Sequence, residues 1–182
     1  PGASQSLAAL AVQGKDFDAA RRYYAGVLDK HPDYLPVHMR LAGLDLAQGN
    51  EGAMLERLET LVKKYPAAVE PRLTLARYKT SKGQAAEALA LLNELDESQK
   101  TLPAVLAQIA EAQLAQGDYS AARMSLDRLV RLQPDNAWTH YQLALAHQGS
   151  SDTAALQKEL ERAIELDPKY VPARLTLARL LL

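Results

Sequence analysis

Apolar residues recur along the chain with the spacing of amphipathic helices and stop at regular breaks. Between the breaks they lie three or four residues apart, and no stretch alternates convincingly between apolar and polar residues as a half-buried strand would. The same pattern returns further along, since "LAGL" at 41–44 corresponds to "LALA" at 143–146. The pattern predicts an all-α protein made of many short helices.

Repeated phrases give a period of 34 residues. "RLTLAR" occurs at 72–77 and again at 174–179, which is 102 residues, or three periods, later. "AQGN" from Ala47 and "AQGD" from Ala115 lie 68 residues, or two periods, apart. Because a fixed period of this size is the signature of a repeat architecture, we predict a single array over 1–182 and expect it to be part of a longer one. The five repeats and the closing half repeat span 1–34, 35–68, 69–102, 103–136, 137–170 and 171–182.

Proline and glycine divide each repeat into two helices, A and B. All nine prolines lie in the last three or first three places of a repeat, where a helix start tolerates the missing N–H. Gly49, Gly83 and Gly117 hold the fifteenth place, and Gly14 and Gly149 lie within two residues of it. Glycine ends helices because it accepts a positive φ. We predict eleven helices, namely five A/B pairs and a final A helix, with turns near these five glycines.

Alanine occupies the eighth place of every repeat, and a larger aliphatic residue precedes it. A small side chain at a fixed register lets two helices approach closely, and the larger neighbour fills the space beside it. We therefore predict that both columns lie in the core. The eighth place holds Ala8, Ala42, Ala76, Ala110, Ala144 and Ala178, and the seventh holds Leu7, Leu41, Leu75, Ile109, Leu143 and Leu177.

The period, the joint prolines, the mid-repeat glycines and the eighth-place alanines together resemble the tetratricopeptide repeat (TPR) over the whole chain. The resemblance implies a right-handed superhelix, or α-solenoid, of antiparallel helix pairs, in which the A helices line a concave groove and the B helices form the convex back. The chain departs from the family near the start of helix A, where an aromatic residue is favoured. Ser4, His38, Arg72, Leu106, His140 and Arg174 stand there instead. The arginines that flank "LTLA" in the repeated phrase are expected to stay in water.

The resemblance also implies a ligand-binding stripe, because places two, five, nine and twelve of helix A face the groove in the family. In repeat five the stripe begins with Trp138, Tyr141 and Leu145. A surface with the only tryptophan, a tyrosine, a methionine and arginines has the composition of a protein-binding site. The predicted ligand-binding residues are Met39, Leu73, Arg77, Gln108, Glu111, Trp138, Tyr141, Gln142, Leu145 and Arg179.

The sequence allows two interpretations of Trp138: it contacts a ligand in the groove, or it only seals the joint behind Pro134. Both interpretations stay open. The stripe also lacks the ordered lysines and asparagines by which some family members grip a C-terminal carboxylate, so that binding mode is not expected. The expected occupant is a protein or peptide.

Composition limits the partners and the kinds of site that can be expected. The 21 basic and 22 acidic side chains leave a net charge of −1, which gives no electrostatic reason to expect nucleic acid or an anionic membrane as a partner. No apolar run approaches the roughly 20 residues that span a bilayer. There is no cysteine, and His140 and His147 lie about 10.5 Å apart along one helix, too far to share a metal ion. We therefore predict a non-catalytic protein without metal or cofactor.

Repeat three lacks the proline that closes the other repeats, and Lys100 stands in its place. Asp96 and Ser98 also replace residues that are apolar in other repeats. We predict that helix B of this repeat ends early, near Leu95, and that a longer, loosely packed loop leads to Pro103.

The last helix ends in "LARLLL" and has no helix B after it. Each repeat of an array buries its apolar face only against a neighbour, so Leu181 and Leu182 are expected to face water or another molecule. We predict that the natural protein continues with further repeats, and that the present chain covers this end by self-association through 171–182.

Two functions from different classes stay open. The chain is either a non-catalytic scaffold that holds a protein or peptide, or the recognition arm of a larger enzyme or of a polysaccharide synthase complex. "EPRLTLARYKTSKGQAAEALALLNE", "RLVRLQPDNAWTHYQLALAH" and "VPARLTLARLLL" resemble the long TPR lipoproteins of bacterial PEP-CTERM/exosortase systems, which are encoded with exopolysaccharide genes. That resemblance implies an exported scaffold for protein sorting or polysaccharide assembly, periplasmic or attached to the outer membrane. A cytoplasmic location is the alternative.

Overall fold

The structure is a computed structural model that describes residues 2–182, and these residues form twelve α-helices and no β-strand. The predicted all-α class is confirmed, with one helix more than the eleven expected. The helices are α1 (Gly2–Gln13), α2 (Phe17–Leu28), α3 (Leu35–Ala47), α4 (Glu51–Lys64), α5 (Val69–Ser81), α6 (Ala85–Asn93), α7 (Glu97–Lys100), α8 (Pro103–Gln116), α9 (Tyr119–Leu132), α10 (Ala137–Gly149), α11 (Thr153–Leu166) and α12 (Val171–Leu180).

The helices begin at the same places of each predicted repeat. The A helices α3, α5, α8, α10 and α12 begin at residues 35, 69, 103, 137 and 171, and the B helices α2, α4, α6, α9 and α11 begin at 17, 51, 85, 119 and 153. Three A helices carry proline in the first two positions, at Pro36, Pro103 and Pro172. Proline starts these helices because its φ is already helical and its missing N–H would have no partner there.

The helices group into two compact units, residues 1–71 and 72–182. The first unit contains α1 to α4 and the start of α5, and the second contains the remainder of α5 and all later helices. Each unit has its own packing and its own cavities, which are described separately below. The single array stays a prediction.

The turn between helix A and helix B is the same in all five repeats. The amide of the sixteenth place donates to the carbonyl of the eleventh at 2.8–3.2 Å, which is the long hydrogen bond of a Schellman motif. This motif requires a left-handed residue between the two, at the fifteenth place. That residue is Lys15 (φ 59°), Gly49 (76°), Gly83 (77°), Gly117 (77°) or Ser151 (58°). All five turns lie near the predicted glycines, and in the outer two the left-handed residue is Lys15, next to Gly14, and Ser151, two residues after Gly149.

Gly149 serves close packing instead of the turn. It is the last residue of α10, and a Cβ at this position would lie 2.1 Å from Cγ of Tyr119. No other residue type fits here unless the tyrosine ring moves, so this glycine allows α10 to end against the start of α9.

Replacing Ser151 with glycine is expected to stabilise the protein by about 0.5–1 kcal/mol. The left-handed conformation is unfavourable for a residue with a Cβ, and glycine removes that penalty. The greater conformational entropy of glycine in the unfolded chain offsets only part of the stabilisation. Lys15→Gly should act in the same direction, and Gly117→Ser should act in the opposite one. Urea denaturation followed by circular dichroism measures all three. A Ser151→Gly variant less stable than the parent would contradict the expectation.

The two predicted apolar columns face different partners. The eighth-place residue packs against helix B of its own repeat, as Ala144 does in one core cluster with Leu156 and Leu160. The seventh-place residue packs against the preceding repeat, as Leu143 does in a cluster with Leu126. Helix α10 therefore lies between its own helix B, α11, and the repeat before it.

This arrangement explains two departures from the predicted core. Leu7 is 47% exposed, because no repeat precedes it within the described residues. Ala178 is exposed, because no helix B follows α12 in residues 2–182. Leu177 is half-buried, since it still packs on the repeat before it. The other members are buried as predicted, namely Ala8, Ala42, Ala76, Ala110, Ala144, Leu41, Leu75, Ile109 and Leu143.

Helix B of repeat three ends early, at Asn93, which confirms the predicted break. The predicted loop is instead a short helix, α7, and this accounts for the twelfth helix. Asp96 starts it through a capping box, in which its side chain accepts from the Gln99 amide at 2.8 Å and the Gln99 side chain accepts from the Asp96 amide at 3.2 Å. Hydrogen bonds from Ser98 and Gln99 also lower the pKa of Asp96.

The expectation that the flanking arginines stay in water is wrong for Arg72. Its side chain is buried, and Nη1 donates to Oε2 of Glu94 at 2.5 Å and to the carbonyl of Leu91 at 3.3 Å. Arg77, Arg174 and Arg179 are exposed as expected. Arg72 therefore joins the start of α5 to the end of α6.

In three repeats the fourth place, where the family favours an aromatic residue, holds a polar side chain that contacts the joint before its helix. Nε2 of His38 lies 2.7 Å from the carbonyl oxygen of Pro32, and Nε2 of His140 lies 3.0 Å from that of Pro134. At the same place Arg174 donates to the carbonyl of Pro168 at 3.2 Å. Because these carbonyls follow the end of helix B, the contact joins each of these three A helices, α3, α10 and α12, to the turn before it.

Candidate functional site

In the first unit, places of the predicted stripe line a cavity of about 530 Å³ beside α1 and α3. Met39 lies at the fifth place of α3, with Pro36 at the second place and Gly43 at the ninth. The other lining residues are Gln5, Ala9, Val12, Gln13, Tyr24, Val37, Arg40, Leu44 and Ala47. The stripe that the family resemblance implied therefore borders an open, largely apolar space in this unit.

Gln5 brings an unused hydrogen-bonding group to the same cavity. Its Nε2 is buried and has no hydrogen-bond partner among residues 2–182. A buried amide without a partner is unfavourable, so an occupant with an oxygen acceptor would be stabilised here. Gly43 leaves room for one, since a Cβ at Gly43 would meet nothing within 4 Å.

In the second unit, Arg77, Gln108 and Glu111 come together between α5 and α8. Burial raises the pKa of Glu111, and the charge of Arg77 and a hydrogen bond with Gln108 partly offset this. Gln108 is buried, and its Nε2 lies 3.4 Å from Oγ1 of Thr80. Arg77 is exposed and Leu73, on the same helix, is half-buried. Arg77 is thus the member of this cluster that is open to a partner.

Glu111→Gln is expected to raise the thermal unfolding midpoint modestly near neutral pH. The folded-state pKa of Glu111 lies above its ordinary value of 4.5, so the folded chain holds its proton more tightly and the destabilisation by Glu111 grows as the pH rises through the folded pKa. Below pH 4.5 both states are protonated, and the advantage of the variant should vanish. Thermal melts at about pH 4 and about pH 7 test this. Glu59→Gln, at an exposed site on α4, is the control. An equal gain at both pH values would contradict the prediction.

A second cavity, of about 540 Å³, lies in the second unit where α8 and α10 begin and α9 ends. Trp138 lines it together with Ala104 and Ala107, which are the second and fifth places of α8. The other lining residues are Leu102, Pro103, Leu129, Gln133, Asn136 and Thr139. The only tryptophan of the chain therefore shares a cavity with stripe positions of the neighbouring A helix.

The remaining predicted residues of repeats five and six differ in how open they are. Tyr141 is half-buried, and its ring meets that of Tyr170 edge-on with 5.5 Å between centroids. Burial, Tyr141 and Asp167 together raise the pKa of Tyr170. Gln142 and Leu145 are half-buried and Arg179 is exposed. Tyr141 thus supports the core beside it, and ligand binding by the whole predicted set stays a prediction.

Asp45 is a buried carboxylate that the sequence reasoning missed. Its side chain is 2% exposed, and it accepts from Nη2 of Arg21 at 2.7 Å and from Nε of Arg57 at 3.0 Å. Gln48 accepts from the same Arg21 group. Asp45 therefore joins three helices, α2, α3 and α4, within the first unit.

The signal for this site lay in the eleventh place, which is polar in four of five repeats. Lys79 there pairs with Glu87 at 2.6 Å, and Gln113 accepts from Ser125 at 2.8 Å. His147 lies 3.9 Å from a carboxylate oxygen of Asp152. The eleventh place thus joins helix A to its own helix B through polar contacts.

Both ring nitrogens of His140 lie within hydrogen-bonding distance of groups in the protein. Nδ1 of buried His140 lies 2.7 Å from Oε2 of Glu159, while its other nitrogen faces the Pro134 carbonyl. Across residues 2–182 there is no group of three or more His, Cys, Asp or Glu side chains placed to hold a metal ion. None of the helices described is long and apolar enough to cross a membrane.

Two stretches of the chain match family models of the tetratricopeptide repeat. Residues 5–34 match the model described as tetratricopeptide repeat, and residues 110–150 match the model described as TPR repeat. No curated protein matches the sequence significantly. The two matches, one in each unit, support the TPR family.

Solved TPR structures support the fold over nearly the whole chain. A thermophilic TPR protein of Thermus thermophilus is 22% identical with a TM-score of 0.71, over 98% of each chain. A tetratricopeptide repeat protein from Parabacteroides merdae is 14% identical with a TM-score of 0.81, over 97% of this chain and 70% of that one. YrrB, described as a TPR protein with an unusual peptide-binding site, is 13% identical with a TM-score of 0.73, over 95% and 89%. The fold is therefore that of a TPR solenoid.

Proposed function

We propose that the chain is a non-catalytic scaffold that binds a segment of a partner protein along the exposed face of its A helices. One observation carries this proposal: in both units, the second- and fifth-place residues of A helices line a cavity. Met39 does so in the first unit, and Ala107 and Trp138 do so in the second. Cavities lined by the same places of helix A give an extended partner segment equivalent binding positions on the A helices.

The chemistry of these cavities favours a peptide over a small charged metabolite. Their linings are mainly apolar, with a few neutral amides and hydroxyls, and Arg40 is the charged exception. Extended peptides offer alternating apolar side chains and backbone carbonyls, and the buried Nε2 of Gln5 would donate to such a carbonyl. YrrB, a fold neighbour, is described as having a peptide-binding site, which supports the same class of ligand.

Trp138→Ala and Arg77→Ala are expected to weaken partner binding by about tenfold or more each, because aromatic and arginine side chains dominate binding energy at protein interfaces. Arg77 is exposed and Trp138 lines a cavity, so helicity should be retained. A peptide selected on the immobilised chain from a random library, titrated by calorimetry, measures the effect.

Met124→Ala is the matched control, because Met124 is a large apolar residue on helix B that is 68% exposed. It should leave the affinity unchanged. A selected peptide that ignores the Trp138 and Arg77 changes but loses affinity with Met124→Ala would place the site on the B helices.

The broader setting is also a proposal. We infer an envelope scaffold for protein sorting or exopolysaccharide assembly, periplasmic or attached to the outer membrane. This inference rests only on the resemblance of the sequence to the TPR lipoproteins of PEP-CTERM/exosortase systems. The recognition arm of a larger enzyme or of a polysaccharide synthase complex is the alternative. Isolating the intact protein from fractionated cells, and identifying the molecules that copurify with it, distinguishes the envelope scaffold from the recognition arm of an enzyme or synthase complex.

Self-association through helix 171–182 belongs to the same proposal. Val171 and Leu175 on α12 and Leu181 directly after it are 59%, 54% and 67% exposed and leave an apolar face at this end. A second copy of the chain would cover it. Sedimentation across a concentration series should show a dimer that Leu175→Glu abolishes, and a strict monomer at high concentration would refute the contact.

A further inference from the structure

Thr139 is one of the residues that line the Trp138 cavity, and its buried hydroxyl has no hydrogen-bond partner among residues 2–182. The residue is fully buried. Its backbone amide is already used, donating to Oδ1 of Asn136 at 3.1 Å. A buried hydroxyl with nothing to bond is unfavourable, so its presence calls for a physical explanation.

The third place of helix A does not otherwise need a hydroxyl. It is apolar and buried in four other repeats, at Val37, Pro71, Val105 and Ala173, and it is an exposed alanine, Ala3, in the first. Valine has nearly the same shape as threonine and would fill this position without an unpaired polar atom. Packing therefore does not account for Thr139, and the cavity that it lines does.

We propose that this cavity holds the tyrosine side chain of an extended partner segment. The aromatic ring would lie against Trp138, Ala104 and Ala107, and the phenolic hydroxyl would form a hydrogen bond with Oγ1 of Thr139. This occupant presupposes the proposed function, because the tyrosine is delivered by a bound peptide.

The lining selects this chemistry in two ways. No residue that lines the cavity carries a charge, so a charged ligand group would lose its hydration without gaining a counter-ion. The walls are apolar apart from Thr139 and two amides, so a ring with a single hydroxyl matches both the apolar surface and the one unused group. Phenylalanine would fill the same space and leave the threonine hydroxyl unpaired.

Fluorescence of Trp138 offers a direct readout, because it is the only tryptophan in the chain. The full chain is titrated with acetylated and amidated peptides Gly-Ala-Tyr-Ala-Gly and Gly-Ala-Phe-Ala-Gly, with excitation at wavelengths that tyrosine does not absorb. The tyrosine peptide should bind about three- to tenfold more tightly than the phenylalanine peptide, the gain expected of one hydrogen bond.

Thr139→Val is the decisive variant, and Val37 and Val105 show that the fold accepts valine at this place. It should bind both peptides equally while the circular dichroism spectrum is unchanged. Ala104→Leu, which fills the cavity from an exposed position, should abolish the response to both peptides.

Three results would overturn the tyrosine assignment: equal affinity of the parent for the two peptides, a tyrosine preference that survives Thr139→Val, or no fluorescence change with either. If library-selected peptides still bind in a manner that depends on Arg77, the scaffold function stands and only the tyrosine pocket falls. If no peptide binds at all, both fall.

Discussion

Asp45→Ala is expected to lower the free energy of unfolding by about 2–3 kcal/mol, the largest single effect foreseen for this chain. Both carboxylate oxygens are used, one by Arg21 at 2.7 Å and the other by Arg57 at 3.0 Å. Removing the acceptor leaves two positive charges facing each other in a partly buried site. The loss stays below that of a fully buried pair, because the arginine side chains are 31% and 27% exposed and can regain some water.

Urea denaturation of the parent and variant measures this loss. Asp33→Ala is the matched control, since Asp33 also accepts from a basic side chain, that of Lys64, but both members of that pair lie at the surface. An exposed pair contributes little, because solvent screens it and two long side chains must be held in one place. Equal losses for the two variants would show that burial of Asp45 does not matter.

Ala110→Leu should destabilise the protein by about 1–3 kcal/mol, the usual penalty for adding bulk to a tight core. Ala110 has no exposed surface and lies in one cluster with Ala122, Leu126 and Leu143. A leucine side chain here must push helix α8 away from α9 or distort the rotamers around it. Both outcomes reduce the close packing on which the repeat depends.

Two controls isolate the packing from leucine itself. Ala178→Leu changes the same place of the repeat, but Ala178 is exposed. Ala104→Leu adds the same side chain to the first turn of α8, also at an exposed site. Each should shift the thermal midpoint far less than Ala110→Leu. Equal shifts for Ala110 and Ala178 would mean that the alanine column does not control the packing.

Repetition made the local structure readable from the sequence. The period of 34 set the starts of helices A and B, because proline at a helix start and a left-handed residue at a helix end act within a few residues of themselves. The alanine column was equally readable, since six copies of one small residue at one register leave little choice of packing face. Glycine was a poorer guide, because Lys15 and Ser151 adopt the same turn when the helices on both sides require it.

Part of the candidate site was also predictable. The stripe taken from the family resemblance contained Met39 and Trp138, and both line cavities. Gln108 was chosen from the same pattern, yet it is buried and forms a hydrogen bond within the protein. Its position on helix α8, beside the stripe, faces α5. A pattern of places identifies a face of a helix, but it does not distinguish the edge of that face from the core beneath it.

Sequence by itself therefore determined the all-α class, the helix register and the inner core, because these depend on neighbours along the chain and on identical neighbours one repeat away. Only the tertiary structure decided which polar groups are buried. Asp45 meets Arg21 from 24 residues away, and Arg72 meets Glu94 from 22 residues away. The hydroxyl of Thr139 has no hydrogen-bond partner among the described residues. The free energy of a buried charge or hydroxyl depends on whether another helix brings a partner to it, and periodicity carries no information about that partner.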